Sequence, residues 1–244
     1  MDIGKYLSIP ASCSVENTIY KKLFYDNADL STKDKNLFVD NINKITWVYC
    51  MKPETINIQV YEDEDYDYSE IEVIDVELTE NISIKRIAEI IMRTIPYPIL
   101  LIFRLDNKLQ LHTAHQRINK NDSSKNTIEE FISTEWISEK CVLFEKLNIK
   151  NMRCSNYYTL YSDIVDAISV FNLNSKISVE DDVTGEEARK ITKQIEDLEQ
   201  KISILKSKLN KETQFNRKME LNIQIKKLGE QKNKLVGGKI DDRS

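Results

Sequence analysis

The chain has 244 residues, of which 41% are hydrophobic and 31% are charged, and its formal net charge is −5. This length allows one sizeable domain with an extension, and the composition is that of a folded globular protein that carries a highly charged element. No window approaches the roughly 18 consecutive apolar residues that a membrane span needs, which argues against an integral membrane protein.

The cysteines and the N-terminal residues predict a reducing compartment. Four cysteines are scattered along the chain without a C-x-x-C pair, at Cys13, Cys50, Cys141 and Cys154. This spacing favours free thiols over a disulfide framework or a zinc site. The N-terminal residues lack the basic start and apolar block of a secretory signal. We therefore expect a cytoplasmic location.

The first 68 residues predict two helices, two strands and an acidic loop. Helical patterns follow Ser14 and Ser31, each of which can serve as a helix cap. Residues 45–51 are β-branched and aromatic, which is typical of a strand, and residues 55–60 alternate as a second strand. The run EDEDYDY at residues 62–68 predicts a solvated loop between two strands.

The most regular pattern lies between residues 69 and 118. Residues 70–78 alternate apolar and charged side chains, as in a half-buried strand, with one slip that predicts a bulge near Val73 and Ile74. Ser83 is expected to cap the helix that follows, and Pro96 and Pro98 are expected to end it.

A buried strand and a hairpin complete this central unit. Residues 99–103 are a solid apolar run, which is typical of a strand covered on both faces. Asp106 and Asn107 predict a tight turn into a returning strand. The fold class predicted from this unit is α/β, with a mixed sheet, a β-α-β crossover, an added hairpin and flanking helices.

The C-terminal third predicts a coiled-coil helical arm. Apolar residues recur at steps of four and three, which is typical of an a/d seam. The seam residues are Ile191, Ile195, Leu198, Ile202, Leu205, Leu209, Leu221, Ile225 and Leu228. The phase fails across residues 210–216. Either the arm folds back as an antiparallel hairpin or one long helix carries a stutter. The absence of Gly and Pro at residues 211–214 favours the long helix, whereas the need of each seam for a partner favours the hairpin, which is our prediction.

These patterns give a domain organisation with four parts. Residues 1–171 form a mixed α/β domain, residues 172–187 a linker, residues 188–236 the helical arm and residues 237–244 a flexible tail. Residues 185–236 hold 13 Lys or Arg against 8 Asp or Glu, whereas residues 1–184 carry a net charge of −10. An acidic body therefore bears a basic arm, either as a solvated helix or as a contact surface for an acidic partner.

The basic residues near the phase break are the best candidates for a binding site. We expect nucleic-acid or partner binding by Lys206, Lys208, Lys211, Phe215, Arg217, Lys218, Lys226 and Lys227. Such a cluster could engage phosphates without reading sequence. Phe215 is the only aromatic residue there that could stack on a base, so protein docking is favoured over nucleic-acid contact.

No catalytic motif emerges, and we expect no cofactor and no metal. Asp75 and Glu77 share one face of a strand, but the lysine that a restriction-type nuclease places two residues after its glutamate is absent. They are interpreted as a solvated strand face, with a degenerate nuclease-like domain as the alternative. His112 and His115 would lie on opposite faces of a strand, and no glycine-rich phosphate loop is present.

Several segments resemble an uncharacterised bacterial family, domain of unknown function 4391. They are LFYDNADLSTKDKNLFVDNINKITWVYCMKPETINI, IPYPILLIF, STEWI and KETQFNRKMELNIQIKKL, which spread the resemblance over nearly the whole chain. The resemblance implies no established activity. It implies an association with helicases and DNA methyltransferases in restriction-like, phage-defence gene clusters.

The sequence therefore predicts a non-enzymatic accessory subunit of a bacterial DNA-processing or phage-defence system that docks through its arm. The expected partner is a helicase or methyltransferase complex, or a second copy of the chain. The alternative is a nucleic-acid-binding protein or a degenerate metal-dependent nuclease-like domain. The pattern leaves the oligomeric state open, because an a/d seam can be satisfied within one chain or between two.

Overall fold

The structure, a computed structural model, describes residues 3–28, 30–120, 126–177 and 183–237. Its α-helices are α1 (Ile3–Leu7), α2 (Lys21–Asn27), α3 (Thr32–Asn41), α4 (Ile84–Thr94), α5 (Leu143–Lys146), α6 (Tyr157–Lys176), α7 (Gly185–Lys211) and α8 (Phe215–Gly237). Its strands are β1 (Ser14–Thr18), β2 (Ile42–Met51), β3 (Tyr61–Glu62), β4 (Asp67–Tyr68), β5 (Ile71–Leu78), β6 (Ile99–Leu105), β7 (Lys108–Thr113), β8 (Gln116–Ile118), β9 (Asn126–Ile128), β10 (Ile132–Ser133) and β11 (Ile137–Ser138).

The chain divides into two compact units, Met1–Ile168 and Ser169–Ser244, and the division falls within α6. The linker predicted at residues 172–187 overlaps the last residues of α6 and the first residues of α7. The tail predicted at residues 237–244 lies outside the described residues apart from Gly237. Among the described residues, no helix has both the length and the apolar composition that crossing a bilayer requires.

A mixed sheet organises the first unit and confirms the predicted α/β class. Within the described ranges it has seven strands, in the order β1-β2-β5-β6-β7-β10, with β11 also paired to β7. The predicted crossover is the parallel pair β5 and β6 joined by α4, and β7 returns antiparallel to β6. The turn between them lies at Asp106, whose φ of 53° is in the left-handed region.

The central unit confirms the position of the predicted bulge and differs from the prediction in two details. The register of β2 and β5 shifts beside Val73 and Ile74, which pair with Tyr49 and Trp47, but the extra residue is Val48 of β2; a second shift lies between Ile42 and Lys44. The slip in β5 needs no bulge because its first four residues, beginning at Ile71, are all buried. Ser83 adopts a left-handed conformation (φ 53°) and makes no side-chain cap.

The core lies on both faces of the sheet. On one face, α4 packs its apolar side chains against β5 and β6, with Ile87 and Ile91 fully buried. On the other face, the hydroxyl of Tyr161 in α6 donates to the Ile99 carbonyl at 2.8 Å and accepts from the Ala114 amide at 3.2 Å. Burial on both faces explains why β6 has a continuous apolar sequence.

The second unit is a helical hairpin, as predicted. α7 begins with a capping box in which Thr184 and Glu187 satisfy each other's backbone N–H groups, and α7 then packs against α8. The chain reverses without Gly or Pro, because the carboxylate of Glu212 accepts the amides of Thr213 (2.8 Å) and Gln214 (2.9 Å). These hydrogen bonds stabilise the turn, and the sequence pattern did not reveal that Glu212 would make them. The supercoiled geometry of a coiled coil stays a prediction.

Candidate functional site

The end of the hairpin that contains the turn has a charge of its own. We call residues 200–227 the distal half of the hairpin. They include eight Lys or Arg and two acidic residues, whereas the remaining hairpin residues 185–199 and 228–236 include five and six. Folding back brings both basic segments to the same end, so a net charge of +6 is concentrated in the distal half. The predicted binding residues all lie there and are all exposed.

Three of the predicted cationic residues come together at a groove beside the turn. The groove has a volume of about 400 Å³, and Lys208, Lys211 and Arg217 line it together with two acidic residues, Glu212 and Glu220. Arg217 forms an ion pair with Glu212 at 3.9 Å. Lys208 and Lys211 are the other two cationic side chains of the groove. The guanidinium is exposed, so this pair contributes little to stability. The groove can therefore offer positive charge to an anionic partner.

The seam between the two helices is only partly covered. Ile195 is buried, but the other eight predicted seam residues are half-buried. Near the base of the hairpin, Leu173 and Ile177 pack into a cluster with Ala188 and Ile195. Among the described residues of this unit, that cluster reaches no farther along α7 than Ile195, so the distal seam has only the two hairpin helices to cover it.

An apolar ladder lies on the outer face of α8. Phe215, Met219 and Ile223 are 72%, 49% and 52% exposed. At 3.6 residues per turn they fall within an arc of about 80°, centred roughly 160° from the seam side of α8. We call these three residues the outer ladder. The sequence analysis named Phe215 alone, although the spacing of four was a signal for the other two.

The predicted catalytic candidates lie on one face of β5, and neither of them is fully buried. Asp75 forms an ion pair with Arg104 of β6, and its pKa is raised because burial outweighs the guanidinium. Glu77 is exposed. A cleft of about 440 Å³ joins Asp75 and Arg104 to Glu16, Lys44 and Thr46. Lys44 pairs in register with Glu77 across β2 and β5, so this strand supplies the lysine that the sequence after Glu77 lacks.

A second cluster was missed by the sequence analysis. Cys50 of β2 pairs in register with Glu72 of β5, and Glu70 lies just before the start of β5. One ligand atom from each of the three side chains lies within 4.8 Å of the other two. Glu72 accepts a hydrogen bond from the indole of Trp47, and the Cys50 thiol lies 3.6 Å from a Glu70 oxygen. Such a donor set could accept a divalent cation. Among the described residues it is the one group of this kind.

Burial controls the chemistry of this cluster. It raises the pKa of Glu72 to about 7, even though the Trp47 indole favours the ionised form. It also raises the pKa of the Cys50 thiol well above its usual range, and the neighbouring carboxylates add to that effect. A thiol held protonated in this way is a poor nucleophile. The cluster therefore has the chemistry of a proton-holding site within the sheet.

The two histidines have separate environments. Nδ1 of His115 lies 2.7 Å from the Tyr68 hydroxyl, next to a group of tyrosines that includes Tyr158 and Tyr161. His112 is buried on β7, and burial lowers its pKa to about 3, so its ring is neutral at physiological pH. The tyrosines of the acidic run at residues 61–68 pack on Tyr158, so that segment is more than a solvated loop.

Comparison with known proteins gives a family and no further relative. Neither the curated proteins nor the solved structures contain a significant match to the chain. One family model matches residues 7–231, from α1 to within α8, so the match includes both compact units. The chain therefore belongs to the family described as Domain of unknown function (DUF4391).

Proposed function

We propose that this chain is a non-enzymatic accessory subunit that docks onto a protein partner through the distal half of its hairpin. The concentration of positive charge in residues 200–227, next to a seam whose residues are half-buried there, is the observation that carries the proposal. We propose that it plays this role in a cytoplasmic bacterial DNA-processing or phage-defence system, which is the association expected from the resemblance to the family. A helicase or methyltransferase complex is the partner expected from that resemblance.

The outer ladder favours a protein as the partner. A nucleic-acid backbone presents charge and no extended apolar face, so it would leave Met219 and Ile223 exposed. A protein surface can cover apolar side chains and neutralise the lysines at the same time. Exposed apolar side chains next to a charged rim are typical of interaction surfaces.

Affinity purification of the tagged full-length chain from its native host tests the proposal. The triple variant Lys211→Glu, Arg217→Glu and Lys218→Glu changes the charge of the distal half by −6 and should lose the partner that the unmodified chain retains. Because all three side chains are exposed, the fold should be unaffected.

A matched control changes the charge by the same amount elsewhere. Lys22→Glu, Lys33→Glu and Lys35→Glu alter exposed residues of the first unit. Both variants weaken general electrostatic attraction equally. The control variant should keep the partner, because its distal half is unchanged. Equal loss in both variants, or retention of the partner by the hairpin variant, would contradict docking through the distal half.

Nucleic-acid binding is the second candidate function, and the eight cationic residues of the distal half favour it. Binding through phosphates predicts that log K for a DNA duplex falls linearly with log salt, with a slope of about −0.9 for each phosphate neutralised. Fluorescence anisotropy with a labelled duplex measures this slope. Binding that the hairpin variant leaves unchanged would remove this candidate.

A further inference from the structure

We infer that the surface which docks the partner is the outer face of α8, and that its occupant is an amphipathic helix with an apolar stripe bordered by acidic residues. This inference rests on the proposed docking function and specifies the chemistry of the partner. Three independent features of α8 support it: the spacing of the outer ladder, the charges beside it and the position of the ladder relative to α7.

The spacing of the ladder suits a helix. Phe215, Met219 and Ile223 are separated by four residues each, so they form one i, i+4 ridge that extends about 12 Å along the helix axis. Ridges of this kind pack into the grooves between the ridges of a second helix. An extended strand would instead need an exposed sheet edge to pair with, and a helix offers none.

Cations border the ladder on one side and at one end. On a helical projection, Lys218 lies beside the ladder, and Lys226 and Lys227 follow Ile223 at its C-terminal end, while Glu220 lies on the opposite side. All three lysines are exposed. None of them forms an ion pair within the described part of the chain. Glutamates or aspartates that border an apolar stripe and meet these three lysines would complement this arrangement.

The position of the ladder separates this surface from the fold of the hairpin. The ladder lies on the side of α8 that faces away from α7, whereas Leu221, Ile225 and Leu228 face α7. Residues of the ladder therefore contribute little to hairpin packing, and polar substitutions there should leave the hairpin folded. Partner binding and folding can be tested independently for this reason.

A synthetic peptide provides the probe. We would use a fluorescein-labelled helical peptide of about 20 residues, with leucines on one face and glutamates on both flanks. A second peptide of the same composition, with the leucines distributed around the helix, is the control. The full-length chain should bind the first peptide at least about tenfold more tightly than the second, as measured by fluorescence anisotropy.

Substitutions in the full-length chain locate the bound peptide. The double variant Met219→Gln and Ile223→Gln should weaken binding by about tenfold or more, because the apolar contact is lost. The control Ile204→Gln alters an exposed isoleucine of α7 and should leave the affinity unchanged. Circular dichroism should show the same helix content in all three proteins.

Each outcome bears on a defined statement. Unchanged peptide affinity in the double variant would overturn the inference, and so would equal binding of the two peptides. The proposed function would survive that result if the triple hairpin variant still lost its native partner. Sedimentation of the chain alone provides one more test. A dimer of the unmodified chain that is absent in the double variant would also overturn the inference, because the occupant would then be a second copy.

Discussion

Replacing Glu72 by glutamine should change how the stability of the first unit depends on pH. The carboxyl is 3% exposed, and burial raises its pKa to about 7 from an ordinary value of 4.5. The folded state therefore binds this proton more tightly than the unfolded state does. Its contribution is fully present below pH 4.5 and is lost as the pH rises towards 7.

The magnitude follows from the difference between the two pKa values. A shift of about 2.5 pKa units corresponds to about 3 kcal/mol, because one unit is worth about 1.4 kcal/mol. Glutamine is neutral at every pH, and its side-chain carbonyl can still accept the Trp47 indole N–H. We therefore expect Glu72→Gln to resemble the unmodified chain at pH 4.5 and to exceed its free energy of unfolding by up to about 3 kcal/mol at pH 8.

Urea denaturation followed by tryptophan fluorescence measures this difference. The chain has two tryptophans, Trp47 and Trp136, and both lie in the first unit, so the signal reports the unfolding of that unit alone. Glu64→Gln, which alters an exposed carboxylate, is the control and should keep the pH dependence of the unmodified chain. If Glu72→Gln keeps it as well, the assignment of that dependence to the buried carboxyl is wrong.

Three further substitutions test the hairpin and the core. Glu212→Ala should speed tryptic cleavage at the turn, because two backbone amides lose their acceptor, whereas Glu220→Ala should not. Lys232 lies four residues after Leu228, at the next position of the α8 seam. Lys232→Leu should therefore stabilise the hairpin against thermal unfolding, because completing the seam is worth about 1 kcal/mol and the lost exposed pair with Glu199 only about 0.5 kcal/mol. A lower midpoint of thermal unfolding would refute this balance. Tyr161→Phe should reduce the free energy of unfolding by about 1–3 kcal/mol in urea, because its hydroxyl satisfies two buried backbone groups.

The predictable part of the fold is the part that local pattern specifies. The β5-α4-β6 unit was readable because an apolar helix face, two prolines and a solid apolar strand each carry a local signal. The bulge lies beside Val73 and Ile74, as predicted, but its extra residue belongs to β2, and the change of phase in β5 reflects the burial of that strand on both faces. The hairpin turn was predicted only from the need of the seam for a partner, since Glu212 is not a typical turn residue.

The candidate sites divide in a similar way. The basic residues of the distal half lie close enough together in the sequence to be found by counting charges. The hairpin turn only brings them closer together in space. The cluster of Cys50 and Glu72 depends instead on strand register, which joins residues more than twenty positions apart. Lys44 was missed for the same reason, because its neighbour Glu77 lies on the adjacent strand.

The turn at Glu212 determines the reach of the second unit. As one continuous rod, residues 185–237 would carry the seam of α7 and the seam of α8 on separate stretches, each without the cover that the other gives it in the hairpin. At 1.5 Å per residue the rod would measure about 80 Å, twice the span of α7 alone. Folding back at Glu212 therefore shortens the element by half and lets each seam cover the other.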